Sequence, residues 1–263
     1  MTTTQPAERG RPAQRQNEIA EYVVGHGSVA ATELAELFGV SLMTIHRDLF
    51  ELERQGVVRK HRGGVSAQPS SVFESNVAYR LQASLAEKQA LARHARTLVE
   101  PGMAVMLDDS TTTLELAKLL DDITPLTVVT NFLDTIKLLA GRPGIRLLAL
   151  GGEYYPTHDS FLGVPCIEAV EALRVDLLFA STSAVSGGYA YHQEQEIVLV
   201  KRAMMRAAQR PVLMVDHTKL GRAALHRLAP VRDFDLVLTD ARAAGESLAE
   251  MREHGARCEV VAA

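Results

Sequence analysis

The chain has 263 residues, of which 47% are hydrophobic and 23% charged, a composition that is ordinary for a globular protein. Its formal net charge of −4 excludes a strongly basic protein that coats nucleic acid, although a local basic surface remains compatible with it. No apolar run is long enough to span a bilayer, and residues 1–16 lack the apolar core of a signal peptide, so we expect a cytoplasmic protein without a membrane partner.

Two cysteines and nine histidines are the residues most suited to a transition-metal site. Cys166 and Cys258 lie far apart and match no metal-ligand spacing, which favours a reducing compartment. No two histidines are four residues apart, as zinc binding on a helix would often require. The sequence therefore predicts no metal and no cofactor.

Breaks in the residue pattern divide the chain into four parts. Residues 1–15 are polar and are predicted to form a disordered leader, whereas residues 16–67 have a compact, mostly helical pattern. A polar stretch containing proline and serine predicts a linker over residues 68–76. Residues 77–263 are long enough to form a second, larger domain.

The first domain has the pattern of a helix-turn-helix. Its three helices are predicted over residues 16–24, 32–38 and 42–55. Thr32 is the predicted N-cap of the second helix, and Ser41 follows a glycine-containing turn as the N-cap of the third. Ile45, Leu49 and Leu52 share one face of the third helix, which predicts that this face is buried. Two short helices joined by such a turn are typical of DNA-binding domains.

Candidate DNA contacts lie on the exposed side of the third helix and in the segment after it. They are Ser41, Met43, Thr44, His46, Arg47, Arg59, Lys60 and Arg62. Arg47 has the donor geometry to pair with guanine, and Thr44 suits a phosphate or a thymine methyl group. Residues 57–65 combine two β-favouring stretches, a basic tip and a Gly-Gly turn, which predicts a wing whose cations reach phosphates. The alternative is a solvated basic edge.

The second domain alternates short apolar runs with amphipathic helices. Strands are predicted over residues 103–107, 126–130, 146–150, 176–180, 212–215, 236–239 and 257–261. Helices are predicted over residues 77–98, 113–120, 132–140, 166–173, 197–208 and 243–254, the first of which joins the two domains. This alternation predicts an α/β fold with a mostly parallel sheet, in which ligands bind where strands end.

Polar residues and glycines follow several of these strands and are the candidate effector-binding residues. They are Asp108, Asp109, Ser110, Thr111, Thr112, Thr113, Asn131, Gly151, Gly152, Ser181 and Lys219. The hydroxyls of residues 110–113 suit a phosphate, Lys219 suits its counter-charge, and either Asp108 or Asp109 suits a sugar hydroxyl. A helix cap, a tight turn and a solvated lysine are the structural alternatives. Lys201 is expected to pair with Glu194 or Glu196.

The run from Glu33 to Glu53 strongly resembles the DNA-binding region of DeoR-type bacterial repressors. That family typically has Arg where this chain has His46, and a His-Gly-Gly-Ala wing where this chain has Arg62-Gly63-Gly64-Val65. The resemblance continues through the strand ends of the second domain. It implies a sensor fold similar to ribose-5-phosphate isomerases and a phosphorylated effector from sugar or polyol catabolism. It also implies a repressor of a catabolic operon.

Two alternatives to a DNA-binding sensor follow from the same residues. The first is an isomerase-like enzyme with an appended DNA-binding domain. Residues 181–186 lack the acidic groups that similar isomerases carry there, so we expect no catalysis and no catalytic residue. The second is a DNA-binding protein whose α/β domain only forms oligomers. In the favoured hypothesis, a homodimer or homotetramer binds double-stranded operator DNA at repeated or palindromic half-sites.

Overall fold

A computed structural model describes residues 10–68 and 76–262 of the chain. The chain divides into two compact units, residues 1–84 and residues 85–263. The predicted linker lies outside the described residues over 69–75, and so do residues 1–9 of the predicted leader.

The first unit is a helix-turn-helix followed by a β-hairpin. Its elements in chain order are α1 (Gly10–His26), β1 (Ser28–Ala30), α2 (Ala31–Leu37), α3 (Leu42–Arg54), β2 (Val58–His61), β3 (Gly64–Ala67) and α4 (Val77–Arg80). The three strands pair antiparallel in the order β1-β3-β2. Ile19, Leu34, Ile45, Leu49 and Leu52 are buried in the core of this unit, as the predicted face of the third helix requires.

Several details of this unit differ from the prediction, among them the start of α1 and the cap of α2. Residues 10–15 are helical instead of disordered, because Arg15 forms an ion pair with Asp48 that ties the start of α1 to α3. Thr32 is not the N-cap of α2, because the helix begins at Ala31 directly after β1. Ala30 pairs with Gly64 in the sheet, so the strand leads straight into the helix.

The second unit is an α/β domain. Its first half contains α5 (Leu85–Arg96), β4 (Ala104–Leu107), α6 (Thr111–Ala117), β5 (Leu126–Thr130), α7 (Leu133–Leu139), β6 (Ile145–Ala149), β7 (Glu153–Tyr155), β8 (Ser160–Leu162) and α8 (Val164–Glu171). Its second half contains β9 (Val175–Ala180), β10 (Ala184–Ser186), β11 (Tyr189–His192), α9 (Gln195–Ala207), β12 (Ala208–Met214), β13 (His226–Pro230), β14 (Leu236–Asp240), α10 (Gly245–Glu253) and β15 (Cys258–Val261). Two short 3-10 helices, His217–Lys219 and Val231–Asp233, flank β13.

The single helix predicted over residues 77–98 is wrong. Two helices, α4 and α5, stand in its place, and Ser84 between them has a positive φ of 49°. Tyr79 of α4 packs against the core of the first unit, whereas Leu91 and Ala95 of α5 are buried in the second. The two halves of the segment therefore bury apolar side chains in different cores.

Seven parallel strands form the central sheet of the second unit, in the order β15-β14-β12-β9-β4-β5-β6. Val105 and Leu107 of β4 belong to the core on one face, and Met106 belongs to the core on the other. Burial on both faces explains the near-continuous apolar runs of the sequence. Strand order reverses between β4 and β9, which places a crevice at their carboxyl ends.

The predicted parallel sheet is confirmed, but several short strands outside it were not predicted. They form a hairpin of β7 and β8 and an antiparallel sheet of β10, β11 and β13, both separate from the main sheet. No helix in the described part of the chain is both long and apolar enough to span a bilayer.

Candidate functional site

The first turns of α3 present the predicted DNA contacts to solvent. Ser41 caps the helix, since its hydroxyl accepts a hydrogen bond from the Thr44 amide at 3.2 Å. The Thr44 and Ser41 hydroxyls are 2.9 Å apart, and Met43, His46 and Arg47 are exposed. The capping serine therefore holds the start of α3 with its polar side chains outward, as a recognition helix requires.

The predicted wing is confirmed as the β2–β3 hairpin. Arg62 and Gly63 form its turn, where Gly63 has a φ of 87°, so Gly64 is the first residue of β3 and not part of the turn. A Cβ atom at Gly64 would come within 2.6 Å of the Val29 carbonyl oxygen, so the close approach of β1 requires glycine there. Arg59 and Arg62 are exposed. Two arginines of the hairpin therefore face solvent, as the predicted contact with backbone phosphates requires.

Lys60 of the wing is held against α3. Its amide donates a hydrogen bond to Oε1 of Glu53 at 2.9 Å, and its Nζ lies 3.9 Å from Oε2 of the same side chain. Its Nζ also lies 5.4 Å from the ring centroid of Phe50, an exposed residue that the sequence analysis did not select. These contacts fix the wing relative to the recognition helix.

A buried ion-pair cluster occupies the crevice between β4 and β9 in the second unit. Asp108 follows β4 and is fully buried. Its Oδ1 accepts hydrogen bonds from the Ser110 amide and the Thr113 hydroxyl, both at 3.1 Å, and its Oδ2 accepts one from the Ser181 amide at 2.8 Å. The Lys201 ammonium donates to the same Oδ2. Asp108 therefore has its acceptor positions filled from within the protein.

The predicted pairing of Lys201 with Glu194 or Glu196 is wrong. Lys201 lies on the buried face of α9, and its Nζ contacts Asp108 and lies 3.1 Å from Oδ1 of Asp109. The two glutamates lie at the amino end of the helix, where they are partly or fully exposed. Burial by itself would lower the pKa of Lys201, but the two aspartates outweigh it and raise the pKa above its ordinary value.

Contacts of Asp109 extend this cluster to the β7–β8 hairpin. Oδ2 of Asp109 accepts a hydrogen bond from the Ser160 hydroxyl at 3.1 Å. Asn131, at the end of β5, donates through Nδ2 to the carbonyl of Phe161 at 2.9 Å. Its Oδ1 is buried and has no hydrogen-bond partner among the described residues. The hairpin thus brings Asp109 and Asn131 to one edge of the sheet, where Asn131 retains an unused acceptor.

Among the predicted hydroxyl groups, some stabilise the protein and others remain available. Ser110 caps α6 by accepting a hydrogen bond from the Thr113 amide at 3.1 Å, and the Thr113 hydroxyl bonds to Asp108. Thr111 is buried and has a polar partner. Thr112 is buried, with 4% of its surface exposed, yet its hydroxyl makes no hydrogen bond within the part of the chain that the structure describes. The Ser181 hydroxyl likewise makes none among the described residues, so neither hydroxyl is committed to an internal contact.

The glycine pair after β6 has a structural explanation at one position. Gly152 has a φ of 151°, and a Cβ atom there would lie 2.3 Å from the Leu162 carbonyl oxygen. Gly151 has open space where its Cβ would be. The close approach that requires glycine at 152 is therefore to the β7–β8 hairpin of the protein itself.

Two lysines stand near the carboxyl end of β12. Asp216, which is buried there, accepts a hydrogen bond from the Thr218 amide at 3.0 Å. Burial would raise the pKa of Asp216, but Lys219, the Thr218 hydrogen bond and Lys88 together lower it. Lys88, on α5, is only 5% exposed. Lys219 was predicted from the sequence but Lys88 was not, because no local pattern indicates that Lys88 is buried.

The described residues contain no group of three or more His, Cys, Asp or Glu side chains that could hold a metal ion. Cys166 is buried, and burial raises the pKa of its thiol to about 12. The cluster at the sheet edge is thus built from lysine, carboxylate, hydroxyl and amide groups.

A recognition helix with a wing, joined to an α/β domain with a polar crevice, defines a DNA-binding regulator with a sensor domain. Comparison with protein families agrees. The family described as the DeoR-like helix-turn-helix domain matches residues 15–71, and the DeoR C terminal sensor domain matches residues 83–241. The chain belongs to the DeoR family of transcriptional repressors.

Curated relatives extend over nearly the whole chain. The glycerol-3-phosphate regulon repressor of Escherichia coli (strain K12) is 32% identical over 232 residues, which cover 88% of this chain and 92% of that protein. The HTH-type transcriptional regulator GolR of Listeria innocua is 31% identical over 231 residues, which cover 87% and 91%. Both are named as regulators of transcription. The chain is accordingly a transcriptional regulator, and the enzyme considered as an alternative is set aside.

Among solved structures, a D-ribose-5-phosphate isomerase in complex with phospho-erythronic acid is similar with a TM-score of 0.38 and 16% identity. The match covers 50% of this chain and 52% of that one.

Proposed function

We propose that this regulator represses genes of sugar or polyol catabolism and releases its operator when a phosphorylated sugar or polyol binds at the carboxyl edge of the seven-stranded sheet. The observation that carries the proposal is the polar cluster at the β4–β9 crevice, which includes the buried Asp108–Lys201 pair. Crevices at such reversals of strand order are where open α/β sheets bind ligands. The names of the relatives support the choice of regulated genes.

Different groups serve the two ends of such an effector. Asp109 and the unpartnered Oδ1 atom of Asn131 suit the hydroxyls of a sugar or polyol, since a carboxylate accepts hydrogen bonds and an amide oxygen does the same. The Thr112 hydroxyl, Lys219 and Lys88 suit a phosphate, because they add donors and positive charge. Asp108 is reserved for internal contacts that position Lys201.

Regulation requires that the effector bind one arrangement of the protein more tightly than the arrangement that binds DNA. A loss of operator affinity of about 100-fold corresponds to a coupling free energy of about 2.7 kcal/mol. Paired half-sites on the operator would match two copies of the chain, so we propose a homodimer or homotetramer. Sedimentation of the full chain at micromolar concentration tests that assembly.

Thermal unfolding with a panel of sugar and polyol phosphates, and with their unphosphorylated parents, tests the proposal. A ligand that binds the folded state at 100 times its Kd stabilises it by about 2.7 kcal/mol. We expect saturable stabilisation by one of the sugar or polyol phosphates and a much weaker effect of the same compound without its phosphate. Equal stabilisation by the parent would remove the phosphate from the proposal. Absence of stabilisation by every compound would favour an α/β domain that only forms oligomers.

Matched variants locate the site. Thr112→Val removes a hydroxyl at nearly constant volume. It is expected to raise the Kd of the stabilising compound at least tenfold. Thr127→Val makes the same change near the amino end of β5, at the end of the sheet opposite the proposed site. This variant is expected to leave Kd unchanged. Equal effects of both variants would place the ligand elsewhere.

A further inference from the structure

An apolar surface lies on the exposed face of the recognition helix. Met43 is 65% exposed and Phe50 is 62% exposed, and their spacing of seven residues places them on the same side of α3. Arg47, also exposed, lies between them on that side. The buried Ile45 and Leu49 face the other way. The side of α3 that is turned away from the core therefore combines a cation with two large apolar side chains.

The Phe50 ring also lies next to the wing. The Lys60 Nζ is 5.4 Å from its centroid, and Glu53 holds Lys60 from the following turn of the helix. Both Arg47 and Lys60 carry positive charge, which complements the phosphates of a duplex on this side of the domain. A duplex that contacts these two cations would meet the aromatic ring between the recognition helix and the wing.

We infer that Phe50 contacts the methyl group of a thymine in the major groove and so adds a base preference to the operator. The C5-methyl of thymine is the apolar feature of the major groove, and phenylalanine is among the side chains that contact it. Burying an exposed ring against a methyl group is favourable because both lose contact with water. The inference goes beyond the family assignment, which establishes DNA binding but not the bases that are contacted.

A thymine-to-uracil scan tests this contact, because 2′-deoxyuridine lacks only the methyl group. The operator is first selected from random duplexes with the full-length protein, and each thymine is then replaced singly. We expect one position at which the replacement weakens binding about fourfold, as loss of one buried methyl group predicts. Phe50→Ala should abolish the difference between thymine and uracil at that position. Met43→Ala, the matched change two helical turns away, should retain it.

Measurement of the salt dependence distinguishes base contact from support of the wing. Lys60→Ala should weaken binding equally to the operator duplex with thymine and to the one with uracil at the sensitive position. It should also reduce by about one the magnitude of the slope of the logarithm of the binding constant against the logarithm of salt concentration. If Phe50→Ala behaves in the same way, with equal losses on the thymine and uracil duplexes, Phe50 acts only through Lys60 and the inference is wrong. It is also wrong if no thymine position is sensitive. Because Phe50 is exposed, its variant should keep the wild-type circular dichroism spectrum and Tm.

Discussion

Replacing Lys201 by methionine is the sharpest test of the buried cluster. The side chain is 4% exposed and faces Asp108, which is fully buried, and Asp109, which is 3% exposed. Removing one partner of a buried pair costs about 3–5 kcal/mol, because the other charge stays buried without compensation. Hydrogen bonds to Asp108 from two backbone amides and the Thr113 hydroxyl remain, so we expect about 3 kcal/mol at pH 7.

The cost of Lys201→Met should depend on pH. Burial without a compensating cation disfavours a charged carboxylate, so acidic conditions favour the folded variant over its unfolded chain. The cost of the substitution relative to wild type should therefore be smaller at pH 5 than at pH 7. Adding Asp108→Asn to the variant should recover part of the loss at pH 7.

Urea unfolding of the full chain, followed by far-ultraviolet circular dichroism at both pH values, measures these free energies. Lys137→Met is the matched control, since Lys137 is 60% exposed and its ion pair with Asp134 lies at the surface. It should cost less than about 0.5 kcal/mol. A cost for Lys201→Met below about 1 kcal/mol, or one that is equal at the two pH values, would refute the reasoning.

Three further predictions concern other parts of the chain. Arg47→Ala should weaken operator binding at least tenfold and binding to random DNA much less, as measured by fluorescence anisotropy; equal losses would show that Arg47 contacts only phosphates. Asp48→Ala leaves Arg15 without its partner and should lower the free energy of unfolding of the first unit by about 1–3 kcal/mol, so a Tm change below about 1 °C would contradict the pairing. Cys166, whose thiol pKa is raised to about 12 by burial, should resist thiol reagents at pH 8 in the folded Cys258→Ser variant and react once urea unfolds it. Rapid labelling of the folded variant would show that the site opens.

Much of the fold can be predicted from sequence patterns that span only a few residues. Near-continuous apolar strands and intervening helices predict a parallel sheet, because strands buried on both faces leave that pattern. Strand order does not follow from it, since the position of β9 beside β4 depends on pairing between distant segments. The strands β7 and β8 have three residues each, too few for an alternating pattern to appear.

The candidate site, like the fold, could be predicted only where local patterns in the sequence define it. Residues that directly follow strands, such as Asp108 and Asn131, were selected because the carboxyl ends of parallel strands meet at one edge. Lys201 was assigned to nearby glutamates because only local partners are visible in a sequence. Its partner Asp108 is 93 residues away, and the contact exists only once α9 packs on the sheet. Lys88 escaped notice for the same reason.

The long helix predicted over residues 77–98 failed for a different physical reason. Its apolar positions continue with helical spacing through both halves, but Tyr79 and Leu91 pack into separate cores. A periodic pattern reports that one face is buried and not which core buries it. The break at Ser84 is therefore a consequence of domain organisation that periodicity alone does not reveal.

Operator affinity measured with and without the stabilising sugar or polyol phosphate tests the central claim most directly. Fluorescence anisotropy with the selected operator should show Kd rising about 100-fold when the compound saturates the wild-type protein. Lys219→Ala, at the proposed effector site, should bind the operator normally and lose most of this response. An unchanged Kd for the wild-type protein at saturating compound would contradict the claim that the sheet-edge site controls DNA binding.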